Sequence, residues 1–123
     1  PHLVSKKMWD RVGGFSEEFN PGIGSDPDFN MKLWKIGVRL FKGLGNCRVY
    51  HFSSVTLRKR ISNKGAKTFL LKWGITIKFF RKYYLRTDTT FNGELKEPDK
   101  TFSYYLNLLK CKFSFAYFYI LKN

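Results

Sequence analysis

Residues 12–37 read VGGFSEEFNPGIGSDPDFNMKLWKIG. The paired glycines and the Asn-Pro-Gly turn of this stretch are typical of loops. Beyond that turn, Ser25 or Asp26 can cap a helix that carries Asp28 in its first turn and ends at Gly37. Apolar residues recur along that helix at the spacing of one buried face. The stretch therefore predicts a glycine-rich loop that delivers two carboxylates to a helix N-terminus.

Two short strands are predicted directly after this helix, at residues 38–41 and 47–52. Before it, Ser5 can cap a short helix that the paired glycines end. Met8, Trp9 and Val12 are predicted to form the inward face of this first helix.

The second half of the chain predicts mainly helices. Apolar residues recur at helical spacing through residues 66–84, where Gly74 divides two helices and Thr76 can cap the second. A polar connector follows over residues 87–100, and residues 102–121 predict an aromatic helix.

The chemistry of the central stretch follows from its two carboxylates. A helix N-terminus carries partial positive charge, which favours the ionised forms of Asp26 and Asp28. An ionised carboxylate at the rim of a loop can accept a proton from a sugar hydroxyl group. His51, at the predicted end of a strand, can bind a divalent metal ion through a ring nitrogen.

These elements together resemble the second half of a GT-A-fold, inverting family 2 glycosyltransferase. The resemblance covers roughly residues 4–54, and its motifs are the Gly-Gly-Phe-Ser-Glu-Glu-Phe element, the acidic pair that opens a helix, and Val49-Tyr50-His51. It implies an α/β fold, the C-terminal part of a GT-A nucleotide-diphospho-sugar transferase. Residues 1–54 would then be the acceptor-side half of the catalytic domain, and residues 55–123 a basic, aromatic, mainly helical C-terminal region.

The resemblance also assigns roles to single residues. Asp26 matches the catalytic base, and Asp28 matches the acidic residue that helps position the acceptor. The resemblance places Ser25 where the family commonly has glutamate, and it predicts acceptor contacts for Gly24, Ser25 and Trp34. His51 matches a histidine that ligates the metal ion or lies close to the donor diphosphate.

The resemblance further implies partners and a cofactor. The donor would be a nucleotide-diphosphate sugar, the acceptor a saccharide or lipid-linked saccharide, and the cofactor Mg²⁺ or Mn²⁺. In the family, an N-terminal nucleotide-binding half with an Asp-x-Asp motif holds most of that metal's ligands. Asp26-Pro27-Asp28 has the same spacing, but its place after Gly-Gly-Phe fits the acceptor motif better. Residues 1–123 are therefore expected to act as part of a longer chain.

The second half of the chain carries most of the positive charge. The formal net charge is +14, and residues 51–123 hold fifteen Lys/Arg against four Asp/Glu, which gives +11. A basic surface attracts phosphate groups of nucleic acids, anionic lipids or small molecules. The alternatives to a transferase are a non-enzymatic basic module for nucleic acid or an anionic membrane, and an inactive transferase remnant. No nucleic-acid motif is present, which argues against nucleic acid.

The expected location is the cytoplasm, with peripheral contact to the cytoplasmic face of a membrane. Cys47 and Cys111 belong to no metal-binding or redox motif, and two thiols fit a reducing compartment.

Overall fold

The computed structural model describes residues 2–20, 22–47, 50 and 64–120. These residues form five α-helices, a 3₁₀ turn and a π-helical turn that continues the fourth helix. In chain order the elements are α1 (Lys6–Val12), the 3₁₀ turn (Glu17–Phe19), α2 (Ser25–Lys35), α3 (Gly65–Trp73), α4 (Ile77–Phe80), the π-helical turn (Arg81–Leu85) and α5 (Phe102–Ile120).

Local sequence sets most of the helix ends. The Ser5 hydroxyl accepts a hydrogen bond from the Met8 amide at the start of α1, and Thr76 does the same for Phe79 at the start of α4. Such caps stabilise a helix by about 1 kcal/mol each. Gly74 ends α3 in the left-handed conformation, with φ 72°. The predicted division of the 66–84 stretch at Gly74 is confirmed.

One local prediction is wrong. Neither Ser25 nor Asp26 caps α2, because Gly24 occupies the N-cap position and no side chain bonds there. The predicted inward face of α1 does face the rest of the protein, although it is only partly buried: Met8 and Val12 are half-buried while the lysines of α1 are exposed. The ring of Trp9 packs against Phe15 and Phe29 at the edge of the core, at centroid distances of 5.1 Å in both pairs.

The core lies where α2, α3, α4 and α5 meet. Aromatic rings fill most of it, and α5 packs across both α3 and α4. Its buried members are Phe19, Met31, Trp34, Phe69, Ile75, Phe79, Phe80, Tyr104 and Cys111. The 3₁₀ turn contributes Phe19, so the loop that precedes α2 is fastened to the same core.

The predicted α/β GT-A fold is wrong: residues 2–20, 22–47, 50 and 64–120 contain helices and no strand. Residues 38–41, predicted as a strand, belong to no helix or strand, and the Arg39 carbonyl accepts a hydrogen bond from the Leu95 amide at 2.9 Å. A strand needs a neighbouring ladder of such bonds, and residues 87–100 run as an irregular connector that does not supply one. The predicted strand at 47–52 lies mostly outside the described residues.

Candidate functional site

Asp26 is the exposed carboxylate of the site. It is the second residue of α2, its side chain is 66% exposed, and Nδ1 of His2 lies 3.5 Å from its Oδ1. The His2 ring packs edge-on against the ring of Phe29 at 5.5 Å, which holds the imidazole beside the carboxylate. The α2 N-terminus favours negative charge at this position. Asp26 is therefore placed to accept a proton from a hydroxyl group of a bound molecule.

Asp28, two residues further on, lies in the opposite environment. No part of its side chain is exposed. Ser16 donates its hydroxyl to Oδ2 at 2.6 Å, and the Trp73 indole N–H donates to Oδ1 at 2.8 Å. The predicted contact of Asp28 with an acceptor stays a prediction, while the contacts that the structure shows are those of a buried anchor.

Two lysines balance the charge of Asp28. Lys72 Nζ lies 2.9 Å from Oδ1 and also donates to Glu18 at 2.7 Å, and Lys32 Nζ lies 3.9 Å from Oδ2 and donates to the Gly14 carbonyl at 2.6 Å. Burial by itself lowers the pKa of Lys72, but hydrogen bonds to Glu18 and Asp28 outweigh it and raise that pKa. Burial lowers the pKa of Lys32, and attraction to Asp28 offsets part of this effect. Lys72 is thus the cation held most firmly in its charged form.

These polar side chains form one unit, called here the Asp28 cluster. It joins three parts of the chain: the loop before α2, α2 itself and the C-terminal end of α3. Its members are Ser16, Glu18, Asp28, Lys32, Lys72 and Trp73. The cluster fixes the direction in which α2 leaves the loop, and hence the position of Asp26.

Sequence reasoning missed most of this cluster. Trp73 is predicted only as part of an apolar stripe, Ser16 and Glu18 are noted only as members of the sequence motif, and Lys72 is assigned no role. The adjacent Lys72-Trp73 pair could have indicated a partner for a buried carboxylate, because both side chains carry the N–H donors that such a group requires. Nothing local, however, links Trp73 to Asp28 across 45 positions of sequence.

Glu18 makes the cluster sensitive to acid. A hydrogen bond from Lys72 is the main cause that lowers the pKa of Glu18 below its ordinary value. The resulting stabilisation is present above the unfolded-state pKa and is lost as the pH falls through the lower folded-state pKa. Because the Glu18 side chain is 48% exposed, solvent screens the pair and its contribution is below about 1 kcal/mol.

We expect Glu18→Gln to lower the free energy of unfolding at about pH 7 by a few tenths of a kcal/mol, because it removes a screened ion pair. The difference from wild type should vanish at about pH 2, where the Glu18 carboxyl group is protonated in both the folded and the unfolded state. Urea unfolding at both pH values measures it, with Glu17→Gln on the exposed neighbour as the matched control. An equal loss at both pH values would contradict the electrostatic account.

Gly24 is required by the shape of the loop. Its φ is +93°, and a β-carbon there would lie 2.7 Å from Cδ1 of Phe19 and 3.1 Å from the carbonyl oxygen of Gly65. Phe19 is fully buried, so its ring has little room to retreat. The glycine thus lets the loop close onto the start of α3, and its predicted contact with an acceptor stays a prediction.

Gly24→Ala is expected to destabilise the fold by about 1–3 kcal/mol more than Gly37→Ala does. Gly37 has nearly the same backbone angle, φ +92°, but open space around the position of its β-carbon. Both variants place an alanine at positive φ and carry the same backbone strain, so the difference between their free energies of unfolding reports the overpacking against Phe19. Urea unfolding of the two variants measures this difference. Equal losses would show that the loop does not pack as described.

The other predicted site residues are dispersed. Ser25 follows Gly24 directly and donates its hydroxyl to the Gly22 carbonyl at 2.7 Å. Trp34 is buried in the core, with the Arg39 guanidinium 3.9 Å above its ring. It lines a separate pocket of about 310 Å³ and is not among the residues that line the groove near Asp26. His51 lies outside the described residues, so its predicted metal ligation stays a prediction.

A wide groove of about 800 Å³ lies near Asp26, which is joined to the groove through His2 and is not itself among the lining residues. His2 and Phe29, which lie next to Asp26, form part of one wall, and the connector after α4 forms the opposite wall. The lining combines apolar rings with polar groups, among them Leu33, Leu40, Phe41, Phe91, Asn92 and Thr89. Concave surfaces of this size and mixed character are typical of sites for small molecules or sugar chains.

The described residues do not by themselves assemble a metal site, since no three His, Cys, Asp or Glu side chains among them converge. Divalent cations need several such ligands. Comparisons with family models, with curated proteins and with solved structures found no match. Functional inference therefore rests on the residues around Asp26 and on their geometry.

Proposed function

We propose that this chain supplies the acceptor side of a glycosyltransferase that uses a nucleotide-diphosphate sugar, with Asp26 as the general base. The observation that carries the proposal is the contrast between the two carboxylates of the motif. One turn of α2 exposes Asp26, whose neighbour His2 lines the groove, and buries Asp28 among cationic and N–H donors. A transferase needs both functions: a carboxylate open to the acceptor, and a rigid support beneath it.

In the proposed reaction, an acceptor hydroxyl bound in the groove lies against the Asp26 carboxylate. Its oxygen attacks the anomeric carbon of the donor sugar, and the bond from that carbon to the diphosphate oxygen breaks. The nucleoside diphosphate leaves with the bonding electrons, and Asp26 takes the hydroxyl proton. Attack from the face opposite the leaving group inverts the anomeric configuration. No step in this scheme relies on a metal ion held by the described residues.

Asp28 acts in this scheme as a positioning residue. Its bonds to Ser16 and Trp73 hold the first turn of α2 against the loop and against α3. The apolar part of the groove suits the flat, non-polar face of a sugar ring or the first part of a lipid carrier. The acceptor proposed is accordingly a saccharide or a lipid-linked saccharide.

The test is a transfer assay with the natural polypeptide that carries residues 1–123. Nucleotide-diphosphate sugars are presented singly with a panel of saccharide and lipid-linked acceptors. Release of nucleoside diphosphate is recorded together with the mass of the extended acceptor. The proposal expects at least one donor and acceptor pair that gives both signals. Donor binding without transfer across the whole panel would instead identify an inactive remnant.

A further inference from the structure

Helix α5 presents a second apolar face that nothing in the described part of the chain covers. Its inner face packs through Tyr104 and Cys111, and Thr76 lies 3.7 Å from the Cys111 sulfur. On the opposite side runs a stripe of large apolar side chains that are between 44% and 79% exposed. This α5 stripe consists of Phe102, Leu106, Leu109, Phe113, Tyr117 and Ile120.

The charges of the helix border this stripe. At 3.6 residues per turn, Lys110 and Lys112 fall on opposite edges of the stripe, and both are exposed. Tyr105 and Tyr119, also exposed, lie on the edge that holds Lys112. No Asp or Glu follows Asp99 in the sequence. The outer surface of α5 is thus apolar along its middle, aromatic and basic along its edges, and free of negative charge.

We propose that α5 lies in the plane of an anionic membrane surface, with the α5 stripe inserted at the boundary between headgroups and acyl chains. Apolar side chains flanked by lysines are the pattern of interfacial helices. Tyrosine at the edges suits the same boundary, because its ring is apolar and its hydroxyl stays hydrated. The lysine stems can reach up to the headgroups while their ammonium groups contact lipid phosphate.

Two other arrangements of α5, a helix that crosses the membrane and a helix that pairs with a second copy of this chain, fit the sequence less well. Within the described ranges, no helix has the length and apolar character needed to cross a membrane, and Lys110 and Lys112 interrupt α5 near its middle. A second copy of this chain docked on the stripe would place lysines opposite lysines, because α5 carries no acidic residue to pair with them. An anionic lipid surface has the complementary charge along the whole length of α5.

The test is co-sedimentation of the natural polypeptide with vesicles of phosphatidylcholine mixed with phosphatidylglycerol, and with vesicles of phosphatidylcholine alone. Wild type is expected to bind the anionic vesicles at least about tenfold more tightly, and to lose most of that binding in high salt. Absence of binding to anionic vesicles at low salt would overturn the proposal.

Two variants examine the stripe and its lysines separately. The triple change L106Q, L109Q and F113Q removes apolar contact and is expected to weaken vesicle binding at least about tenfold. Its matched control, I23Q, L44Q and Y50Q, alters exposed apolar side chains outside both α5 and the groove and should leave binding unchanged. All six positions are exposed, so circular dichroism should show native helix content in both variants.

The double change K110Q and K112Q keeps the apolar stripe and should weaken binding by about thirtyfold, with K7Q and K96Q as the exposed control pair. Equal weakening by test and control variants would overturn the proposal. So would a wild-type dimer that only the stripe variant dissociates. The inference does not depend on the proposed function: D26N is expected to bind vesicles as wild type does.

Discussion

Replacing Asp28 with alanine is expected to lower the free energy of unfolding by about 3–5 kcal/mol. The change leaves the Trp73 indole N–H and the Ser16 hydroxyl without their acceptor, and it removes one of the two carboxylates that pair with Lys72 and the one that pairs with Lys32. For partly buried cations, losing a buried counter-charge costs more than the original pairs contributed. Urea unfolding followed by helical circular dichroism measures the loss.

Asp26→Ala is the matched control, because it removes the same group from the same turn of the same helix. The Asp26 side chain is exposed and makes no hydrogen bond to a core residue. Asp26→Ala should therefore change the free energy of unfolding by no more than about 0.5 kcal/mol. Asp28→Asn should lose most of the free energy that Asp28→Ala loses, since Lys72 and Lys32 both lose the charge of Asp28. A loss below about 1 kcal/mol in Asp28→Ala would contradict the anchor role.

Asp26→Asn is expected to show the opposite pattern, with normal stability and a rate of sugar transfer reduced by about 10²–10⁴-fold. Asparagine keeps the shape of the side chain but cannot take the proton of the acceptor hydroxyl. Donor binding should be unchanged, because the proposed base contacts the acceptor. Steady-state assays with the donor and acceptor pair found active give the rate, and titration with donor alone gives its affinity.

Asp10→Asn provides the control for this activity prediction. Asp10 is another exposed carboxylate near the N-terminus, paired with Lys6 on α1, and it is not among the residues that line the groove. Its substitution should leave transfer at the wild-type rate. A similar loss in both variants would mean that the effect comes from general charge removal rather than from a base at Asp26.

Local features of the sequence predict the helices well. The cap at Ser5, the break at Gly74, the cap at Thr76 and the last aromatic helix all appear in the structure. Each depends on chemistry within one or two turns: a hydroxyl that accepts a backbone N–H, or a glycine that adopts positive φ. Such signals are fully contained in a short window of sequence.

Features that need a distant partner could not be predicted in the same way. Residues 38–41 have the composition of a strand, but whether they join a sheet depends on a neighbouring strand that the described residues do not provide. The burial of Asp28 likewise depends on Lys72 and Trp73, which belong to another helix. A carboxylate in the first turn of a helix has the same local signature whether it faces solvent or the core.

The two acidic residues of the motif show this limit most clearly. Sequence predicts that Asp26 and Asp28 both act on the acceptor, and it cannot separate them because they stand two positions apart in one helical turn. Packing separates them, since the turn directs one side chain toward α3 and the other toward solvent. Their different environments are therefore a tertiary property, and the roles proposed for the two residues require separate tests.

The most direct test of the central claim is the single-turnover rate of sugar transfer by Asp26→Asn with donor already bound. Saturation with donor removes binding from the measurement, so the rate reports on the chemical step alone. If Asp26 is the base, this rate falls at least about a hundredfold while the free energy of unfolding stays at the wild-type value. A variant that transfers sugar at the wild-type rate would contradict the assignment of Asp26 as the catalytic base.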